Sequence, residues 1–363
     1  MKSQLTRSHE AGSSASLLEE IGALARKPTR FMEVCGTHTV SIFRSGIRSL
    51  LPQSLELISG PGCPVCVTPL GEIDQAVALA REEGVALVSF GDVMRVPGSS
   101  SSLSQERAGG RDVRVITSPL DAVEIARGEP HKKIVFFAIG FETTSPAIAA
   151  AITEAKRQGV RNLSILSSQR LIPPAMRALL SSDAVQIDGF LLPGHVSVII
   201  GKAPYSFIAR DFSLRGVITG FEPLDILEGV VMLLRQIQEG RAEIENQYTR
   251  AVQVEGNERA RRIMGEVFSP VSARWRGLGT IPDSGLALRE EFKEMDVAVS
   301  FDIPYKDMAD PPGCRCSEIL QGLTTPPHCP LFGARCTPED PIGPCMVSSE
   351  GSCAAFYKYG GLS

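Results

Sequence analysis

An α/β fold is predicted for this chain of 363 residues, and three observations predict it. Between Leu55 and about Gly220 a strand–turn–helix pattern repeats, as layered α/β proteins require. Several strands are unbroken apolar runs, such as Ile134-Val135-Phe136-Phe137-Ala138-Ile139. Such runs suit strands buried on both faces of a parallel sheet. Helix-start signals recur between them: Ser118-Pro119 and Ser145-Pro146 each pair a capping residue with a first-turn proline.

Taken in order, the first 30 or so residues read as a polar lead and one helix, with Leu17, Leu18, Ile21 and Leu24 on one face. A short strand, 31–34, leads to a turn at Cys35-Gly36-Thr37-His38. A helix then carries Val40, Phe43, Ile47 and Leu50 to about Leu51. Strands follow at 55–58, 85–90, 113–116, 134–139, 163–167, 188–192 and 216–219. They suit either one sheet or two small domains. The helix from Pro69 to Glu83 has Thr68 as its expected N-cap. The stretch 98–110, rich in Ser and Gly, reads as a surface loop. Gly140-Phe141-Glu142 is echoed by Gly220-Phe221-Glu222, and Pro61-Gly62-Cys63 by Pro193-Gly194-His195, which hints at two related halves. Amphipathic helices are expected at 222–239 and 256–268. After Pro304 no period survives, and nine prolines fall between Pro304 and Pro344. Such a segment needs a source of order other than apolar packing, and bonds to metal are one.

Composition narrows the function. Hydrophobic residues make up 43% and charged residues 21%, ordinary values for a soluble globular protein. A net charge of −4 argues against nucleic acid or an anionic membrane as the main partner. The longest apolar run, Ile134 to Phe141, is far short of the ~20 residues of a membrane span. The opening MKSQLTRSHEAGSS lacks the apolar core of a secretory signal, so a cytoplasmic, reducing compartment is expected.

In such a compartment nine cysteines point to metal or redox chemistry. Six of them fall in the last 50 residues: Cys314, Cys316, Cys329, Cys336, Cys345 and Cys353. Their wide spacing, with a single tight pair, fits an iron–sulfur cluster better than the paired knuckles of a zinc ribbon. Zinc and unligated thiols are the alternatives. Cys63-Pro64-Val65-Cys66 lies between a strand and a helix, where the free amides of the helix start favour thiolate. The motif reads as a reversible dithiol or as half of a metal site. Cys35 sits in a similar place, with His38 three residues on, as a nucleophile, a metal ligand or a small buried residue. His195 follows a strand, where α/β proteins place ligands; a structural histidine is the other reading. Glu142 and Glu222 read as helix-start charges, and nothing in spacing assigns Asn246, Gln247 and Tyr248.

Together these motifs resemble the HypD family of hydrogenase maturation factors. The stretches that carry the resemblance are CGTHT (35–39), GPGCPVC (60–66), GFETT (140–144), PGHVS (193–197), TGFEP (219–223), ENQY (245–248), PGCRC (312–316) and MVSSEGSC (346–353). Their joint order is specific and covers almost the whole chain after about residue 30. Cys345 is the one cysteine outside the family's central pattern.

The resemblance implies two small parallel-sheet α/β domains, 54–132 and 133–220. It also implies a third, helical and irregular domain, 1–53 with 221–363, that carries a 4Fe-4S cluster. It implies a scaffold that works with a HypC-type chaperone and a HypE-type cyanide carrier to build the Fe(CN)2CO group of nickel–iron hydrogenases. Carried over by position, Cys35 would bind the iron under assembly, and Cys63 and Cys66 would be a redox pair beside it. Cys316, Cys329, Cys336 and Cys353 would hold the cluster, with Cys314 as competitor. His38 and His195 would give hydrogen bonds or protons to bound cyanide. No GxxxxGK[ST] loop is present, which excludes a standard P-loop. The competing function is a stand-alone iron–sulfur thiol/disulfide oxidoreductase.

Overall fold

The computed structural model describes residues 2–360, with side chains from residue 13 on. In chain order the strands are β1 (Thr29–Glu33), β2 (Leu55–Ser59), β3 (Val85–Ser89), β4 (Val113–Val115), β5 (Lys133–Gly140), β6 (Leu163–Gln169), β7 (Gly189–Pro193), β8 (Arg215–Thr219), β9 (Ile244–Asn246), β10 (Phe268–Trp275) and β11 (Gly279–Leu288). The first nine form two parallel sheets, ordered β2-β1-β7-β8-β9 and β4-β3-β5-β6. The alternative of one sheet is thereby excluded.

Successive strand residues point to opposite faces, so each sheet feeds two cores. On β7, Leu191 faces the helices Lys2–Leu24 and Pro223–Gln238, where Ile21, Ile226, Val230 and Leu233 are buried. Its neighbours Phe190 and Leu192 join a central core shared with Leu87, Val135 and Phe137 of the second sheet. The opposite face of that sheet, Ala86, Val88, Ile134 and Phe136, is covered by Pro119–Gly128 and Ser145–Arg157. Each fully buried Phe, Leu or Ile contributes roughly 1.5–3 kcal/mol, so these layers dominate stability. No helix among the described residues is long and apolar enough to cross a membrane.

The sheets do not divide the chain at the expected boundaries. β3 to β6 form one sheet that spans both 54–132 and 133–220, while β2 and β7 belong to the other sheet. β1 and β9, expected in the third domain, extend that other sheet. The chain leaves the first sheet after β2, builds the second, and returns at β7. Local pattern cannot reveal this, because pairing is decided by long-range burial. Both sheets nevertheless share the order second, first, third, fourth of their own strands. The echoed Gly-Phe-Glu motifs sit after β5 and β8, which are not equivalent strands, so motif echo and shared topology are separate matters.

Smaller differences have local causes. The helix expected to reach Leu51 breaks into Gly36–Arg44 and Ile47–Leu50 at Gly46, whose φ is +70°. The Thr68 hydroxyl donates to the Pro64 carbonyl instead of capping, and Pro69 takes the N-cap position. The loop at 98–110 contains the helix Leu103–Ala108, started by a capping box between Ser102 and Gln105. The polar lead is part of the helix Lys2–Leu24, and its first side chains lie outside the described residues. The antiparallel β10–β11 hairpin lacked a sequence signal strong enough to read.

Candidate functional site

In an open parallel sheet the crevice for a ligand lies where strand order reverses, beyond the carboxyl ends of the strands. In the first sheet that point falls between β1 and β7, which pair directly. Cys35 follows β1, and Pro193-Gly194-His195 continues from β7. Cys35 caps the helix Gly36–Arg44 in an extended conformation. The Cys35 amide donates to Glu33 Oε2 at 3.1 Å, and Thr39 Oγ1 donates to Glu33 Oε1 at 2.5 Å. Glu33 therefore ties the strand end to the first turn of the helix. Burial pushes its carboxyl up to about 7. Burial likewise pushes the Cys35 thiol up to about 12, against the facing amides of His38 and Thr37.

The Cys63-Pro64-Val65-Cys66 loop lies against Cys35. Gly36 N–H donates to the Gly62 carbonyl at 3.0 Å. A Cβ on Gly62 would come within 2.2 Å of the Cys35 nitrogen, so only glycine permits this approach. Cys63 and Cys66 are joined as a disulfide, with Cα atoms 5.2 Å apart. Cys63 starts the one-turn helix Pro64–Val67, and its sulfur accepts the Cys66 amide at 3.2 Å.

His38 and His195 both pack against one ring, that of Phe221. Phe221 stacks on His195 at 3.9 Å between centroids and meets His38 at 4.8 Å, with Tyr248 against its edge at 5.9 Å. His38 Nε2 is 2.9 Å from the Gly220 carbonyl. A carbonyl only accepts, so the network assigns the proton to Nε2 and leaves Nδ1 bare. Nδ1 is buried and has no partner among the described residues. Burial lowers this imidazole to about 4, which keeps it neutral. Nδ1 is thus the ring nitrogen left available to a ligand. Burial also lowers His195.

Glu142 follows the carboxyl end of β5 at the corresponding reversal in the second sheet, between β3 and β5. It is buried, its Oε1 accepts the Ile172 amide at 2.9 Å, and its Oε2 has no partner among the described residues. Burial raises it to about 7. Glu142 is thus more than an exposed helix-start charge. Gln247 braces the Gly220 turn, accepting its amide at 3.1 Å and donating to Asp225 at 2.9 Å.

All six late cysteines line one cavity, together with Ile319, Leu331, Phe332 and Met346. Cys345 is among them, although the motif reading set it apart. Cys345 and Cys316 are 2.7 Å apart through their sulfurs. The shared proton pulls Cys316 down and Cys345 up. Burial pushes Cys314 up to about 12 and Cys353 well above its ordinary value. Buried thiolates side by side repel, so this donor set suits a cationic, thiophilic group. As they stand, no three His, Cys, Asp or Glu side chains among the described residues are arranged to hold a metal ion. The cavity is joined to the first site. The helix Pro344–Val347 packs on Pro64–Val67, and Ser352–Tyr359 packs on Gly36–Arg44. Thr37 Oγ1 donates to Glu350 Oε1 at 2.8 Å.

The residues overlooked in the sequence are Glu33, Phe221, Glu350 and Arg276. Phe221 and Glu350 lie within quoted motifs and Glu33 two residues before one, but only the fold shows what they touch. The HypD family model, described as the hydrogenase formation hypA family, matches residues 13–360. The chain is similar to hydrogenase maturation factor HypD of Rhodobacter capsulatus, 46% identical over 96% of this chain and 93% of that protein. It is 48% identical to HypD2 of Bradyrhizobium diazoefficiens over 92% of this chain and 90% of that one. HypD of Escherichia coli is 46% identical over the same shares. The chain belongs to the HypD family of hydrogenase maturation factors.

Proposed function

We propose that this maturation factor is the scaffold on which, with a HypC-type chaperone, the Fe(CN)2CO group of nickel–iron hydrogenases is assembled. The iron is cargo, held through Cys35 and a thiolate of the chaperone, and cyanide arrives from a HypE-type carrier. Low-spin iron with cyanide and carbonyl is a soft centre that thiolate suits. The observation that carries this reading is the contact between the Cys35 turn and the Cys63–Cys66 loop at the sheet's reversal point. A thiol placed there can hold a metal while a two-electron couple acts beside it. Opening the Cys63–Cys66 bond takes up two electrons and two protons; closing it returns them.

The six-thiol cavity fits a resident 4Fe-4S cluster in its donor chemistry. Cys316, Cys329, Cys336 and Cys353 would hold it, with Cys314 as the competing ligand. When bound, the cluster supplies single electrons to a couple that works in pairs. The protein's own part is to hold Cys35 against the Gly62 turn and to keep water from the buried cleft. His38 leaves its Nδ1 unpartnered in that cleft, available to a ligand there.

The test is infrared spectroscopy of the complex purified from a host with the whole maturation pathway. Bands in the triple-bond region are expected, and Cys35→Ala should abolish them while leaving the cluster's absorption. A complex that never shows those bands sinks the scaffold and leaves the stand-alone thiol oxidoreductase. Iron counted in single Cys→Ala variants at the six late positions sorts ligands from neighbours.

A further inference from the structure

Arg276 follows β10 and lies between the two thiol sites. Only 4% of its surface is exposed. On one side it grips the segment that follows the dithiol. Its amide donates to the Val67 carbonyl at 2.8 Å and its Nε to the Thr68 carbonyl at 3.0 Å. On the other side Nη1 pairs with Asp310, whose Oδ2 accepts Ser317 Oγ at 2.5 Å, next to Cys316. Gly277 packs on the backbone of Ser317 and accepts Gln321 Nε2 at 2.8 Å. The last donor, Nη2, is buried and has no partner among the described residues.

A guanidinium with a purely structural role satisfies its donors, because a dry unpaired N–H is destabilising. This one leaves a charged donor open on a guanidinium that reaches Ser317, the residue next to Cys316, through Asp310. A fixed cation near a thiolate-bound cluster favours the more negative, reduced state.

We propose that Arg276 is a positioning residue that couples the two redox sites, raising the potential of the group in the cysteine cavity while clamping the segment after Cys66. The proposal rests on reading that cavity as an iron–sulfur site. The test is a spectroscopic redox titration of the anaerobically purified full chain, with iron and sulfide measured in every sample. Arg276→Met should lower the cluster midpoint by the equivalent of a tenfold change in the reduced-to-oxidised ratio, about 59 mV for one electron. Arg276→Lys should restore part of the shift, since a compact ammonium keeps the charge but not the fork. Asp310→Asn removes the neutralising partner and should move the midpoint upward.

An unchanged midpoint in Arg276→Met with full iron content overturns the proposal. If Arg276→Met loses the cluster or fails to fold, Asp310→Asn decides. An upward shift supports the role, and no shift or a downward one overturns it. A wild-type chain without iron and sulfide sinks the iron–sulfur reading itself, which the metal analysis distinguishes from failure of the Arg276 role alone.

Discussion

The early and late cysteines occupy two kinds of architecture. Cys35, Cys63 and Cys66 stand at the ends of parallel strands, where pairing and helix starts hold the backbone. The six late cysteines stand in a segment of short turns, where among the described residues only three- to eight-residue helices form. The first site is positioned by the fold. The second has little regular structure to position it, and on the iron–sulfur reading proposed above the bound group would supply that order. Removing a thiol should therefore do opposite things in the two places.

The largest expected effect is on the late site. Cys336→Ala, or removal of metal by chelation, should make residues 301–360 protease-sensitive while the strands of both sheets keep their hydrogen-exchange protection. Equal protection of that segment with and without metal would break the comparison.

Next comes Glu142→Gln. The folded pKa of Glu142, about 7, lies above its ordinary 4.5, so the folded state binds the extra proton between those values. Its contribution is fully present below pH 4.5 and is lost as pH rises through about 7. Glu33 shifts the same way and His38 the opposite way, but both are common to the variant and the parent. The variant should match the parent at pH 4 and exceed it by about 3 kcal/mol above pH 7. Chemical denaturation across that range measures the difference, and a gap independent of pH contradicts the assignment.

A smaller change probes the seam between the sites. In Gly36→Ala the new Cβ would come within 2.4 Å of Glu350 Cβ. It should destabilise by about 1–3 kcal/mol and weaken the infrared bands, although both thiol sets remain. Full bands and full stability would mean that the seam is irrelevant. The smallest stability effect belongs to Cys35→Ala. It should lie within about 1 kcal/mol of the parent, since a small buried side chain is replaced by another. A loss of several kcal/mol would make Cys35 structural.

Much of the fold was legible. The apolar runs at 134–139 and 188–192 are strands, and the amphipathic helix expected at 222–239 is Pro223–Gln238. Short-range signals sufficed there because burial period and capping are local. Sheet membership was not legible, because β3 and β5 pair across 43 or more residues of intervening chain. Of the site, Cys35, Cys63 and His195 could be picked out by residue type and by their position after strands. Glu33 could not, since a carboxylate at a strand end reads as solvent-exposed until its burial against Thr39 is seen. Arg276 could not either: its partners Thr68 and Asp310 are distant in the chain.

The sequence by itself determined the layer type, the helix starts, the order of the motifs and the resemblance to a family that they carry. These depend on neighbours a few residues apart. Tertiary structure alone decided that two parallel sheets interrupt one another, that both thiol sets share a seam, and that a buried guanidinium stands between them. Those facts depend on which distant surfaces exclude water together, and that burial is a property of the whole chain.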